Sequence, residues 1–441
     1  MYIEWLASSI RLKDCQNARA PAAVLYVTYD GVLEPLGESQ VLAYLERLAG
    51  HFAITLLSFE KHEDARDTAR VRAMEQRLTT HGISWVRLSY HKWPPVLSSL
   101  FDSVVGAARA RAVCRSRRVR IVHARGYLPS LIALGARGAS RAKYLFDMRG
   151  FWVNEKVEAG HWRGGGALER IAKWWERRFL RSADGIVSLT AAGVSALPAL
   201  GYQGGAAAQV EVIPTCVDLD RFRPRPRDRE LAETLGLADA PVIGCVGTMS
   251  NWYLRREMLQ YLAHLARELP RLQVLLVTRE DEEALRRDAA TEGMPHGRLV
   301  ITRAPYDQMP RFMTLFEAGV FFIRPTFAKR GSAATKLAEF LATGVPVIIN
   351  DGVGDSGDIV RAAGAGLVLT DLDEWAFAQS LPSLQGILND PDIRERCRRA
   401  AVEFFDVNQG AIRYRRLYER LAGDALSSQA APRPTRKQEE S

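Results

Sequence analysis

The sequence predicts an α/β fold class, two doubly wound parallel-sheet domains in tandem, and three observations predict it. From Ala23 onward, short apolar runs alternate with longer amphipathic ones, the pattern of parallel strands joined by crossover helices. The chain has 441 residues, more than one ordinary core accommodates. Near its middle the stretch IPTCVDLDRFRPRPRDRE, rich in proline and charge, interrupts the alternation as an interdomain linker does.

In chain order, residues 1–21 have no clear periodicity and are expected to form an irregular extension. The first domain is expected over residues 22–213. Its first strand is VLYVTY (Val24–Tyr29), followed by a helix at Glu38–Ala49 with Val41, Leu42, Leu45 and Leu48 inward. AITLLSF, a charged helix near Arg66–Thr80, and SWVRL repeat the theme. Further strands are expected at Val119–Ala124, Lys143–Asp147, Gly185–Leu189 and Val210–Ile213. After a linker over 214–240, a second series fills 241–405: PVIGCVG, a helix near Arg255–Glu268, LQVLLVT, a helix near Asp281–Thr291, RLVIT, a helix near Tyr306–Phe316, GVFFI and, later, GLVLT. A helix over 406–424 is expected to return to the first domain. The polar, proline-bearing end, 425–441, is expected to be disordered.

The densest chemistry lies between Arg324 and Asp358. After the GVFFI strand, a loop carries Lys329, Arg330 and Gly331, and Ser332 stands where a helix N-cap would. Ala333–Ala342 has helical spacing, and Thr343-Gly344 stops it. A helix whose free N–H groups face a loop with two cations is a natural anion site. Ligands of such folds sit beyond the C-terminal ends of the strands. That rule gathers Tyr29–Gly37, Asp147–Trp152, Gly247–Asn251 and Arg324–Ser332 around one crevice between the domains.

Composition narrows the partners. Net charge is +9, and between Phe101 and Arg181 cations outnumber anions roughly three to one. Solvated arginine-rich helices explain this, as does an anionic partner such as membrane lipid or a lipid-linked phosphate. ALERIAKWWERRFLRSA (Ala167–Ala183) sets Leu168, Ile171, Trp175 and Phe179 on one face among cations. It reads either as packed on the first sheet or as resting on an anionic membrane. No zinc finger, aromatic-studded RNA-binding signature or helix-turn-helix pattern accompanies the charge, so nucleic acid is not expected. No apolar run approaches the roughly 18 residues that span a bilayer. The N-terminus lacks the order of a secretory signal. Five scattered cysteines show no metal-type pairing and fit a reducing cytosol. The expected location is cytoplasmic, with peripheral attachment at the inner face of the cytoplasmic membrane.

VEVIPTCVDLDRFRP resembles the linker of family 4 glycosyltransferases, and EFLATGVPVI resembles their "E-A-M-A-x-G-x-P-V-V" block. The S-x-x-T-K-L-x-E-F-L-A-x-G variant is similar to a branch making surface and capsule polysaccharides. The resemblance spans nearly all of 22–421. It implies the GT-B fold, two Rossmann-like domains facing across a cleft, and a retaining transfer from a UDP- or GDP-linked sugar. The implied acceptor is lipid-linked or an oligosaccharide, and no metal or other cofactor is expected. Glu339 is expected to accept ribose hydroxyls, a role suited to a carboxylate, with Lys336 either facing the cleft or solvating its helix. The family's diphosphate arginine is replaced by Thr248, leaving Arg255, Lys329, Arg330 and the Ser332–Thr335 helix start as candidate sources of positive charge. Eight residues before Glu339 the family's sugar-binding Glu is replaced by Gly331. Asp355 reads either as a compensating carboxylate or as a turn former. The family's first-domain His is replaced by Asp147, with Arg149 two residues on; these two are the catalytic candidates. Asp30, Gly31 and Gly37 are candidates for a phosphate-approaching loop, and His123 reads as structural or as part of the site. A nucleotide-sugar epimerase of the same fold and a catalytically weak donor-binding subunit are the alternatives.

Overall fold

The computed structural model describes residues 21–430 apart from 203 and 205–208. Most of the expected irregular extension, up to residue 20, and 431–441 of the expected tail lie outside the described residues. The first sheet contains β1 (Ala23–Thr28), β2 (Ala53–Glu60), β3 (Ser84–Ser89), β4 (Ile121–Arg125), β5 (Lys143–Asp147), β6 (Gly185–Ser188) and β7 (Gln209–Val212). Its order is 3-2-1-4-5-6-7, all parallel. The second contains β8 (Val242–Val246), β9 (Gln273–Val277), β10 (Leu299–Thr302), β11 (Ala318–Phe321), β12 (Val347–Asn350) and β13 (Gly366–Leu369), ordered 10-9-8-11-12-13. In each sheet the order reverses beside the domain's first strand, which opens a crevice beyond the strand ends. Register then aligns Thr28 with Arg125 and Arg125 with Asp147, so three polar residues end β1, β4 and β5 in one row.

Both faces of the first sheet are covered, which is why its strands read as near-continuous apolar runs. On one face Leu25, Val27, Val122 and Phe146 pack with Ile132, Ala133 and Phe179 from the helices Tyr127–Arg137 and Ala167–Ser182. On the other, Val24, Tyr26, Leu56, Ile121 and Leu145 pack with Val41 and Leu45. The same cluster includes Tyr414, Leu417, Tyr418 and Leu421 of the terminal helix Val407–Ala430. That helix begins after the second domain but completes the core of the first. It also runs to Ala430, into the stretch expected to be disordered. The two chain crossings between domains are bonded to each other: Val217 N–H donates to the Phe405 carbonyl at 2.8 Å, and Val407 N–H to that of Val217 at 3.1 Å.

Local departures from expectation have local causes. The helix after β11 starts at Thr335 with Ala334 at its N-cap, because Phe327–Gly331 winds first into a 3-10 turn. Ser332 therefore closes that turn and does not cap a helix. Beyond the Asp147–Trp152 segment, Trp152–Glu158 forms a short helix. The linker contains a helix, Arg229–Thr234, whose Leu231 N–H is capped by Asp228 at 2.9 Å.

Candidate active site

Glu339 sits in the second turn of the helix after β11, only 6% exposed, and accepts a hydrogen bond from the Tyr306 hydroxyl at 3.1 Å. The Arg221 guanidinium lies over the Tyr306 ring at 4.4 Å. Burial pushes the Glu339 carboxyl up to about 7, against the opposing pull of Tyr306, Lys336 and Arg221. Thr335 lines the same recess as Glu339 and Arg221. Lys336 is also buried. Its Nζ donates to the Thr248 carbonyl at 3.0 Å and rests over the Tyr253 ring at 3.7 Å. A helix residue thus brings a cation to the end of β8, where Thr248 stands.

Arg255 is held elsewhere. Its guanidinium bonds Glu280 and, at 2.9 Å, Asp288, so it faces its own domain and not the cleft. Glu280 also takes the N–H groups of Met249 and Ser250 at 2.8 and 2.9 Å and the Thr248 hydroxyl. Burial alone would raise the Glu280 carboxyl, but these bonds and Arg255 outweigh it and hold it at about 2. A cavity of about 430 Å³ opens here, lined by Gly247, Thr248, Thr278, Arg279, Ala304 and Tyr306.

The loop with Lys329 and Arg330 is fastened to the first domain. Lys329 Nζ pairs with Glu155 at 2.5 Å and lies over the Trp252 ring at 3.9 Å, so it is not free for a phosphate. Ala328 N–H donates to both Glu158 carboxylate oxygens at 3.2 Å. The Thr190 hydroxyl donates to the Arg330 carbonyl at 2.6 Å, leaving the Arg330 side chain exposed. Asp355 accepts from Ala191 and Ala192 N–H at 2.6 and 2.8 Å, which makes it a clasp between domains and not a substitute sugar ligand. A Cβ on Gly331 would stand 3.1 Å from the Phe151 ring. At Gly331 this chain thus packs an aromatic ring of the opposite domain.

In the first domain, several expected site residues lie below the cleft floor. Asp147 is 1% exposed and accepts from the Tyr414 hydroxyl at 2.9 Å, with His123 Nε2 at 3.4 Å. His123 Nδ1 is 2.6 Å from the Tyr418 hydroxyl, and burial pushes its pKa down. Both are enclosed by the terminal helix, so neither reaches a ligand directly. Arg149, in a left-handed backbone conformation with φ 57°, is partly accessible. Asp30 is exposed at the end of β1. The loop after it does not offer its N–H groups to the cleft: Val32 and Leu33 donate to the buried Glu60 at 3.1 and 3.2 Å. Gly31 and Gly37 permit this packing, since a Cβ on Gly37 would fall 2.1 Å from the Gly31 carbonyl oxygen.

Sequence reasoning missed Tyr306, Arg221, Arg125, Glu155 and Glu158. Arg221 had a signal, standing immediately before the Phe222 of the linker motif. The others act through partners remote in sequence. Among the described residues, no group of three His, Cys, Asp or Glu side chains is arranged to hold a metal.

Residues 38–216 match the glycosyl transferase 4-like domain, and residues 240–385 match the glycosyl transferases group 1 family. The chain belongs to the group 1 glycosyltransferases. This group 1 glycosyltransferase is 28% identical over 220 residues to a D-inositol 3-phosphate glycosyltransferase of Nocardia farcinica; the match covers 48% of this chain and 47% of that protein, about half of each. Solved structures extend the likeness to the fold as a whole. A glycosyltransferase from Rickettsia africae superposes with a TM-score of 0.68 at 16% identity, covering 91% of this chain and 99% of that one. Anabaena HepE, solved with UDP and glucose, gives 0.64 at 16% identity, covering 90% and 99%. The architecture is GT-B.

Proposed function

We propose that this group 1 glycosyltransferase moves a sugar, with retention of configuration, from a UDP- or GDP-linked donor. The proposed acceptor is a lipid-linked sugar or an oligosaccharide, in cell-surface polysaccharide synthesis. The observation that carries the donor reading is the buried Glu339, three residues after Lys336 on one helix and bonded to a tyrosine that lines the neighbouring cavity. In this reading Glu339, as the carboxylate, accepts the two ribose hydroxyls, charge-assisted. The base occupies the cavity beside Gly247, Thr278 and Tyr306. Lys336, Arg330 and the N-terminus of the Thr335 helix face the diphosphate, whose charge grows as it leaves. The anomeric C–O bond to phosphate breaks, the acceptor oxygen bonds the same face, and its proton passes to the departing phosphate oxygen. The stereochemistry rests on the family resemblance; no protein base is required, and no metal or cofactor is invoked.

A lipid-linked acceptor would be met at a membrane. Among the described residues no helix is long and apolar enough to cross one. Trp93, Val96, Leu97, Leu100, Phe101 and Val104 are 53–79% exposed, the last five at helical spacing. Leu168, Ile171 and Trp174 form a second exposed stripe. Both helices also carry exposed arginines, among them Arg109, Arg111, Arg177 and Arg178. Apolar stripes among cations suit an anionic lipid surface.

A thermal-shift screen of nucleoside diphosphates and their sugars tests the donor reading, since a bound ligand stabilises the fold by mass action. Product analysis then separates a transferase, which needs an acceptor, from an epimerase, which does not. Cosedimentation with phosphatidylglycerol but not phosphatidylcholine vesicles, lost in Leu97→Asp/Phe101→Asp, tests the membrane surface; equal binding of the variant sinks it.

A further inference from the structure

Two arginines at the floor of the cleft, Arg125 buried and Arg149 partly accessible, have no hydrogen-bond partner among the described residues. Arg125 ends β4 with its side chain 5% exposed; its nearest carboxylate is Asp30, with Nε at 4.0 Å, and that Nε has no hydrogen-bond partner. Arg149 is 14% exposed, and its nearest carboxylate oxygen, Asp147 Oδ1, is 3.9 Å away and is itself unbonded. Both contacts are at the limit of an ion pair and too long for hydrogen bonds. The cavity's other charged groups are two carboxylates, the exposed Asp30 just named and Glu155, which is committed to Lys329. A guanidinium carries five N–H donors in a fork that matches a planar or tetrahedral oxyanion. Burying such donors unsatisfied is costly.

The two arginines line one cavity of about 180 Å³, whose walls include Tyr29, Tyr127 and Trp152. Each lining residue comes from the first domain, while Glu339 and Lys336 belong to the second. At about 30 Å³ per water, this volume holds several water-sized groups, enough for a phosphate or carboxylate.

We propose that Arg125 and Arg149 form an oxyanion subsite on the first-domain side of the cleft, which takes a phosphate or carboxylate group of the acceptor. The aromatic wall would face the sugar or lipid to which that group is attached. The inference rests on the transferase reading for the word acceptor, but the site itself does not. The left-handed backbone at Arg149 fits it, since strained conformations cluster where a side chain must be aimed.

The test is calorimetric titration of the full chain with inorganic phosphate, farnesyl phosphate below its aggregation threshold, and glucuronate. Each is run with and without saturating UDP or GDP, whichever binds. The expected result is binding of at least one oxyanion that persists in the nucleotide complex. Arg125→Gln and Arg149→Lys should weaken it about ten- to a hundredfold while nucleotide affinity stays unchanged. Stronger binding of farnesyl phosphate than of inorganic phosphate identifies a lipid phosphate, and preference for glucuronate identifies a uronic acid. Arg149→Lys keeps the charge and loses the fork, so it carries the test if Arg125→Gln fails to fold. The proposal is overturned if none of the three binds, if both variants bind like wild type, or if nucleotide abolishes binding. Nucleotide that binds normally alongside such a failure leaves the donor reading standing; absent nucleotide binding sinks that reading and leaves the anion titration to be read by itself.

Discussion

Replacing Glu339 by Gln and varying pH together report the charge state of the proposed ribose ligand. The rise of its carboxyl from 4.5 to about 7 corresponds to roughly 3 kcal/mol against ionisation, at about 1.4 kcal/mol per unit. If the carboxylate is the form that accepts ribose hydroxyls, affinity for a nucleotide sugar follows the ionised fraction. It then falls about tenfold from pH 8 to pH 6. A nucleotide sugar is the right probe, because a free terminal phosphate itself titrates near 6. The stability sign is the reverse. The folded-state value lies above the unfolded one, so this group favours the unliganded fold below about 4.5 and that contribution is lost as pH rises through about 7. Glu339→Gln, which resembles the protonated acid, should therefore flatten the affinity profile. It should also melt above wild type at pH 8, with the gap closing toward pH 5. The assays are calorimetry and thermal denaturation across pH 5–8. A flat wild-type affinity profile would refute the reasoning, and so would a slope that survives in Glu339→Gln.

Placing a carboxylate in this loop with Gly331→Glu should disrupt the domain contact, because even a Cβ meets the Phe151 ring at 3.1 Å. A cost of about 1–3 kcal/mol, relieved by Phe151→Ala, is expected in denaturant melts; no rescue would place the strain elsewhere. Lys329→Met and Glu155→Gln each leave a partner uncompensated, discounted to about 2 kcal/mol because Glu155 is 26% exposed. Their double-mutant cycle should show coupling, and additive losses would remove the pair from the interface energetics. Tyr414→Phe deletes the hydroxyl that bonds Asp147 at 2.9 Å and should cost about 1–3 kcal/mol with the buried carboxylate left short of a donor; an unchanged melting temperature would contradict this. His123 is held below its usual value of 6.5 by burial, so the unfolded chain binds the proton first. Stability should fall as pH drops below about 6.5, and His123→Gln should lessen that slope; an equal slope in both chains would assign it to another group.

The strands were legible because parallel sheets covered on both faces leave unbroken apolar runs, as in VLYVTY and GVFFI. The position of Glu339 was legible because its block is local: strand, loop, helix and stop signal follow within some twenty residues. What escaped was pairing over distance. Lys329 reads as a free loop cation until Glu155, 174 positions away, is set against it. Arg255 reads as a phosphate ligand until Glu280 and Asp288 claim it. Arg125 looks like a solubilising charge at a strand end, and only the register of β4 between β1 and β5, with the burial that follows, turns it toward the cavity. Asp147 occupies the expected position along the chain, but nothing in its neighbourhood announced that Tyr414 would cover it.

The return of Val407–Ala430 to the first sheet bears on how the protein is made. During synthesis, residues 22–213 emerge first, yet part of one face of their sheet awaits Tyr414, Leu417, Tyr418 and Leu421. Those 208 residues between 213 and 421 take about 10–40 s to add at roughly 5–20 residues per second. For that interval Val24, Tyr26, Ile121 and Leu145 lack their final cover, and the nascent chain needs either a chaperone or a temporary substitute. Turns synthesised after the second domain thus close the first core begun, and a polypeptide released just short of Tyr414 would leave part of that apolar face open.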